Sequence, residues 1–265
     1  MVSIALTIAG SDSGGGAGIQ ADLKTFSALG VYGCSVVTAV TAQNTRDVTA
    51  VHLIPTEVIT AQIQAVLSDF SVRSIKIGML GSPELIHCVA DALAGYDGPI
   101  VLDPVMIAKS GVALLQEAAI ATLRDRLLPR ATVLTPNIPE AARLLDQPEE
   151  YMACGLKRQA RDLQALGPRA VLMKGGHGVG DFCTDWLVTD RGELALKADR
   201  IKTRNTHGTG CSLSSAIAAG LARGQSIETA VHAAHVWLHE AIRRADELQV
   251  GQGRGPVHHF HGVWV

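Results

Sequence analysis

The sequence predicts an α/β fold: a mostly parallel central sheet with helices on both faces. Two observations point there. Short, apolar, β-branched segments alternate with helix-length amphipathic segments almost from end to end, which is the pattern of βαβ units. Several glycine-rich or acidic turns also follow strand-like runs directly, at the carboxyl edge where open α/β sheets receive ligands.

The elements follow in order. Residues 3–9 (SIALTIA) are short and apolar, as a buried parallel strand should be. Residues 17–29 place Ile19, Leu23, Phe26 and Leu29 on one helical face, and Gly30 and Gly33 end that helix before a strand at 35–41. Pro55 opens a helix carrying Val58, Ile59, Ile63, Val66 and Leu67, and residues 74–78 follow as a strand. The alternation continues through helix 83–94, strand 99–102, helix 114–128, strand 131–134 and helix 138–146. A helix at 153–166 and a strand at 169–174 come next. A hairpin then joins 183–189 to 193–200 across Asp190-Arg191-Gly192. Helices at 210–223 and 227–247 close the chain, the last with Ile227, Ala230, Val231, Ala234, Leu238, Ala241 and Ile242 on one stripe. No long linker, internal repeat or low-complexity tract interrupts the series, so one domain over residues 1–265 is expected.

Composition narrows the function. The 265 residues carry 23 Lys+Arg against 25 Asp+Glu, a formal charge of -2, with 47% apolar and 18% charged residues. A disordered chain would be more polar and charged, and general nucleic-acid binding normally shows as a basic excess. No apolar run approaches a membrane span, and no secretory leader is evident. The five cysteines form no CxxC pair, which argues against a disulfide framework or structural zinc and for a reducing cytoplasm. The expectation is a cytoplasmic enzyme with no nucleic-acid or membrane partner.

Four segments could carry its chemistry. The first is the glycine run from Gly10 to Gly18, followed by Asp22 and Gln43. It is neither a Walker A loop nor GxGxxG, and the bland alternative is a flexible connector. The Gln43 amide can donate and accept at once, which suits an aminopyrimidine or similar ring edge. The second is Asn205-Thr206-His207-Gly208-Thr209-Gly210-Cys211-Ser212, ahead of a small-residue helix. Gly208 and Gly210 bare the backbone at a helix N-terminus, an anion cradle. Cys211 falls in the first helical turn, where a thiol pKa is expected below its free value, although a small buried cysteine with no role is the plain alternative. The third is Lys174-Gly175-Gly176-His177 after a strand, where a lysine can meet phosphate as a point charge. The fourth pairs two strand ends, Asp103 in DPVM and Glu140 in TPNIPE. Mg2+ is usually bound by one or two carboxylates together with substrate phosphates. The histidine-rich tail, His258, His259 and His261, lacks metal-ligand spacing and is expected to pack.

Together these segments resemble the ribokinase superfamily, and within it the hydroxymethylpyrimidine/phosphomethylpyrimidine kinases of thiamine biosynthesis. The resemblance is carried by AGSDS at 9–13, GGGAGIQADLKTFSA at 14–28, VTAQNT at 40–45, KIGML at 76–80 and DPVMIAKSG at 103–111. LTPNIPEA at 134–141, MKGGH at 173–177, NTHGTGCS at 205–212 and GPVHHFH at 255–261 complete it. The superfamily's late glycine turn usually ends in Asp; here position 211 is Cys, the form expected of the pyrimidine branch.

The resemblance implies a ribokinase-like three-layer fold and an ATP-dependent kinase whose one site acts twice, on the hydroxymethyl group and then on the monophosphate. It implies Cys211 as the base, with Gln43, Asp22, Gly10 and Met79 around the pyrimidine. Gly208, Thr209 and Gly210 would meet the transferred phosphoryl group, and Lys174 would meet ATP. Asp103 and Glu140 would hold Mg2+, supported by Asn137. A homodimer is implied as well. The alternatives are a pyridoxal kinase of the same superfamily, more distantly a thiazole kinase, and a non-catalytic vitamin-binding protein that kept the fold.

Overall fold

The computed structural model describes residues 2–106, 115–176 and 180–264. The chain begins β1 (Ile4–Asp12), α1 (Gly18–Ala28), β2 (Tyr32–Gln43), β3 (Val48–Leu53), α2 (Thr56–Asp69), β4 (Ser74–Ile77), α3 (Pro83–Ala92) and β5 (Ile100–Leu102). It continues α4 (Glu117–Arg126), β6 (Val133–Leu134), α5 (Ile138–Leu145), α6 (Ala153–Gln164), β7 (Ala170–Met173), β8 (Phe182–Thr189), β9 (Gly192–Asp199), α7 (Thr209–Ala222) and α8 (Ile227–Arg243). The strands form a sheet in the order β3-β2-β1-β4-β5-β6-β7-β8-β9. The six from β2 to β7 pair in parallel, and β3, β8 and β9 are antiparallel at the edges. This is the expected ribokinase-like α/β arrangement.

Strand alternation sorts side chains onto two faces. Leu6, Ile8, Ile75, Ile77, Leu102, Leu134, Val171 and Met173 pack into one core with residues of α2 to α6. Ala5, Val101, Val133, Ala170 and Leu172 pack into the other with α1, α7 and α8. By the same parity Thr7, Lys76, Asp103, Thr135 and Lys174 project toward the α1/α7 side, so the polar residues of the strands converge under one pair of helices. Helix α7 is built to lie close: its run TGCSLSSAIAAGLA is almost wholly small, and residues 212–219 are all buried.

Local signals set the helix ends. Ser82 caps α3, its hydroxyl accepting from the Leu85 N–H with Pro83 at the first turn. Asn137 and Glu140 form a capping box at α5, and Asp146 ends that helix in the left-handed region at φ 54.

Some boundaries differ from expectation. β1 runs on to Asp12, so Gly10, Ser11 and Asp12 are strand residues, with a register shift against β2 between Ala9 and Ser11. β3 was not foreseen. Five of its six residues are exposed, so it carries no two-residue alternation to read. The final helix stops at Arg243 and gives way to a short 3-10 turn at Ala245–Glu247. Helix α4 spans Glu117–Arg126; residue 114, residues 107–111 of the DPVMIAKSG motif and His177 lie outside the described residues. Among the described residues no helix is long and apolar enough to cross a membrane.

Candidate active site

The carboxyl ends of β5, β6 and β7 bring three ionisable groups together. Lys174 Nζ lies 3.0 Å from Asp103 Oδ1 and 3.8 Å from Glu140 Oε2. Thr135 donates to Asp103 Oδ1 at 3.2 Å, and Ser214 of α7 donates to Asp103 Oδ2 at 3.4 Å. Asn137 works from behind: its side chain accepts from the Glu140 N–H, while its own N–H donates to Glu140 Oε2 at 2.8 Å. Burial pushes Glu140 up to about 7; Lys174 opposes that rise and Asp103 adds to it. Lys174 is raised even though burial works the other way, because Asp103 and Glu140 face it. Two carboxylates therefore meet one ammonium, and the group as a whole has room for more positive charge. That donor set fits a hard divalent cation completed by substrate oxygens.

The two glycine segments meet beside this group. Gly208 takes φ +77, and a Cβ there would overlap the Gly16 carbonyl oxygen; one at Gly18, φ +56, would overlap that of Gly10. Only glycine permits both the backbone angle and the approach. A Cβ on Gly210 would stand 3.4 Å from Lys174 Nζ and 3.5 Å from Asp103 Oδ2, so the N-terminus of α7 opens onto the charged group. Thr209 caps back with its hydroxyl on the Thr206 carbonyl at 2.7 Å.

Cys211 is half-buried in the first turn of α7. The expectation of a lowered thiol pKa is overturned: burial dominates and pushes the thiol up to about 11. Lys76 and the Gly18 N–H pull it down, while Asp22 and Asp103 push it further up. The helix terminus is outweighed because the sulfur sits among buried carboxylates and not in solvent.

Asp22 does not line an open surface. It is fully buried below Cys211, with Lys76 Nζ at 2.8 and 3.0 Å, the Thr7 hydroxyl at 2.6 Å and the Ser215 hydroxyl at 2.6 Å. Lys76 stays charged there: burial alone would lower it, and Asp22 first, then Cys211 and Asp103, raise it beyond its ordinary value. Gly78 leaves it space, since a Cβ there would lie 2.8 Å from Lys76 Nζ.

Gly10 meets Met79, and Gln43 meets His207 and Thr41. A Cβ on Gly10 would stand 3.2 Å from Met79 Sδ. Gln43 Nε2 lies 3.2 Å from His207 Nε2, whose ring nitrogen also lies 2.8 Å from Asp12 Oδ2. Asp12 gathers the glycine run beneath it, accepting from the N–H groups of Gly14, Gly16 and Ala17. Burial raises its carboxyl, but His207 and those backbone donors outweigh it and hold Asp12 below the usual carboxylate range.

Every site residue named from the sequence thus falls along the line where α1 and α7 meet the strand ends, Asp22 one layer deeper than expected. Sequence reading gave no part to Lys76, Thr7, Ser215, Asp12 or His207. A signal existed for Lys76, a charge inside the four-residue buried strand SIKI. For His207 and Asp12, 195 residues apart, none did. The tail packs under the turn: His259 Nε2 meets the Ser212 hydroxyl at 2.9 Å, and the His207 N–H donates to Gly255.

Comparison with known proteins agrees with this geometry. The family model described as phosphomethylpyrimidine kinase matches residues 12–258. A hydroxymethylpyrimidine/phosphomethylpyrimidine kinase of Rhizobium meliloti (strain 1021) is 55% identical, over 100% of this chain and 99% of the relative. Among solved structures, a phosphomethylpyrimidine kinase from Clostridium difficile 630 is 45% identical with a TM-score of 0.81, over 91% of this chain and 100% of the other. The pyridoxal kinase of Staphylococcus aureus, solved with AMP-PCP and pyridoxal, is 31% identical with a TM-score of 0.91, over 100% of this chain and 96% of the other. The backbone is thus shared with pyridoxal kinases, and the sequence sides with the pyrimidine branch. The chain is a kinase and belongs to the phosphomethylpyrimidine kinase family.

Proposed function

We propose that this chain uses ATP to phosphorylate the hydroxymethyl group of an amino-hydroxymethylpyrimidine and then the resulting monophosphate, giving the pyrophosphate used in thiamine biosynthesis. The observation that carries the reading is the position of Cys211. It lies near the Gly18 N–H, Lys76, Asp22 and Asp103, on a helix N-terminus whose glycines leave the backbone bare, with Lys174 and Glu140 gathered beside Asp103.

In this reading Gln43 meets the ring edge, and Gly10 and Met79 bound the ring. Asp22 acts from below, by holding Lys76 under the thiol. The N–H groups of Gly208, Thr209 and Gly210 receive the oxygens of the transferred phosphoryl group, and Lys174 meets the phosphate charge of ATP. Asp103 and Glu140 would hold Mg2+, with Asn137 fixing Glu140; the ion would neutralise phosphate charge. The substrate oxygen bonds to the γ-phosphorus, the bond from that phosphorus to the bridging oxygen breaks, and ADP leaves. Cys211 takes the hydroxyl proton as the thiolate, the minority form at neutral pH for a thiol near 11, and Lys76 is the cation that favours it. Phosphoryl transfer depends chiefly on positioning and charge stabilisation, so an uncommon thiolate is compatible with turnover. The enzyme works as one kinase domain, in the cytoplasm and as a homodimer.

The test is mass spectrometry of products after incubation with ATP, Mg2+ and either hydroxymethylpyrimidine or pyridoxal. Singly and doubly phosphorylated pyrimidine is the expected result. Pyridoxal phosphate alone would move the assignment to the pyridoxal branch, and no product from either would remove the kinase reading.

A further inference from the structure

The Asp12–His207–Gln43 contact has no part in the reading above, and its hydrogen-bond chemistry is restrictive. Asp12 accepts three backbone N–H groups and stands as an anion. An imidazole nitrogen 2.8 Å from that carboxylate must carry its proton, since a lone pair there would face a negative oxygen. His207 Nε2 is therefore a donor. A second donor cannot usefully sit 3.2 Å from it, yet that is where the Gln43 amide nitrogen lies.

Thr41 raises a weaker form of the same conflict independently. Its hydroxyl proton goes first to the Ser11 carbonyl at 2.8 Å, which leaves Gln43 Oε1 at 3.1 Å only a shared, weaker contact. Exchanging the amide oxygen and nitrogen, groups of nearly equal size, replaces the donor–donor contact with a favourable one. The Gln43 carbonyl then shares the single Nε2 proton with Asp12, as its second and longer acceptor, and the NH2 donates to the Thr41 lone pair.

We infer that Asp12 and His207 are positioning residues that hold the Gln43 amide in one orientation, carbonyl toward His207 and NH2 toward Thr41, and so select an aminopyrimidine edge. The amide has two lone pairs and two N–H bonds. With one of each engaged inside the protein, one acceptor and one donor remain for the ligand, in fixed order. An aminopyrimidine offers the complement, an amine N–H beside a ring nitrogen lone pair. Pyridoxal carries an aldehyde oxygen where the amine would be, an acceptor against an acceptor. Losing the lock lets the amide turn, which costs affinity for the first ring and removes a penalty from the second. The inference rests on the reading of Gln43 as the ring-edge contact.

The experiment measures KM and kcat for hydroxymethylpyrimidine, pyridoxal and ATP in Gln43→Ala, His207→Phe, His207→Gln and the double variant Gln43→Ala/His207→Phe. Leaving one buried polar group unpaired is worth about fivefold to a hundredfold in affinity. His207→Phe should raise the pyrimidine KM in that range with ATP saturation unchanged, and should shrink the preference for pyrimidine over pyridoxal. His207→Gln, whose amide N–H can reach the position of Nε2–H, should restore much of both. In the Gln43→Ala background, His207→Phe should add little. Should His207→Phe not fold, His207→Gln and the shorter His207→Asn carry the test, the first retaining preference and the second losing it. If Gln43→Ala raises the pyrimidine KM but the His207 variants leave KM and preference unchanged, or their effects simply add, the lock is overturned and the Gln43 reading stands. If Gln43→Ala leaves the pyrimidine KM unchanged, both fall.

Discussion

Lys76 and Lys174 project from the same face of the sheet, from the middle of β4 and just past the end of β7, and each meets carboxylate. Lys76 has a fully buried side chain, and its partner Asp22 is bonded as well by Thr7 and Ser215. Lys174 keeps 15% of its side chain exposed and faces two carboxylates, one of them at 3.8 Å. The first lysine is closed within the protein; the second faces two carboxyl groups at an opening, one of them pushed up to about 7 by burial and so poised to ionise when further positive charge arrives. Depth along the strand makes the difference: a residue inside the strand is roofed by α7, while one past its end reaches the ligand edge. A buried ion pair is therefore not by itself the mark of a site. An excess of carboxyl groups at the strand ends is.

The largest effect should come from breaking the closed pair. Lys76→Met leaves the Asp22 carboxylate buried without its cation, which typically costs about 3–5 kcal/mol. The midpoint of urea unfolding should fall accordingly. Lys174→Met should cost less than half as much, because its site is partly open, while the KM for ATP rises about tenfold or more. Equal losses of stability in the two variants would erase the distinction between them.

Cys211→Ala comes next. Losing a general base lowers kcat by about two to four decades, with little change in either KM. The raised thiol sets the sign of the pH dependence. The active form is the thiolate, so kcat of the parent enzyme should climb with pH from neutrality toward about 11, and the residual activity of Cys211→Ala should lack that climb. A parent profile that is flat from pH 7 to 9 would mean that Cys211 is not the base.

A smaller effect belongs to His259, another buried ionisable group and, like Lys76, a closed one. Burial, with Lys24 and neighbouring histidines adding to it, pushes its pKa down to about 3 from an ordinary value near 6.5. Below 6.5 the unfolded chain takes up a proton that the folded chain refuses, so the stability this group contributes is present above 6.5 and lost as pH falls toward 3. One pKa unit is worth about 1.4 kcal/mol, so between pH 7 and 5 the loss should be about 2 kcal/mol. His259→Gln, which can still meet Ser212, should show a shallower acid slope in thermal unfolding; an unchanged slope would assign the acid sensitivity elsewhere.

The two halves of the site were not equally legible. Asp103 and Lys174 could be read from the sequence because each lies just past a strand, whose alternation fixes the side it serves; Glu140 and the Gly208–Gly210 turn could be read because each sits at the start of a helix, the first in a capping box and the second ahead of a small-residue run. Gln43 could be read as a ring-edge contact but not in its orientation, which depends on His207, 164 residues away. The thiol was misjudged for a related reason. A helix N-terminus is visible in sequence, whereas the burial of Asp22 and Asp103 around Cys211 is a property of the packed layers. β3 escaped because exposure along most of its length removes the alternation that marks a strand.

Asn137 gives the smallest effect and the finest test of the open end. It caps α5, and its backbone N–H also holds Glu140 Oε2 at 2.8 Å. Replacing a capping Asn by Ala costs about 1 kcal/mol, and Asp or Ser restores most of it. Asn137→Ala keeps the backbone N–H, so Glu140 retains that bond while the first turn of α5 loosens beneath it. Two readouts then separate the roles. If the cap only stabilises the helix, urea unfolding shifts by about that amount and the Mg2+ dependence of turnover stays where it was. If the cap holds Glu140 in place for the cation, Asn137→Ala requires several-fold more Mg2+ for half-maximal rate, and Asn137→Asp, which can cap but adds a third carboxylate beside Asp103 and Glu140, moves the requirement the other way. The second pattern is the expected one, because the carboxyl excess that distinguishes Lys174 from Lys76 exists only while Glu140 faces the lysine.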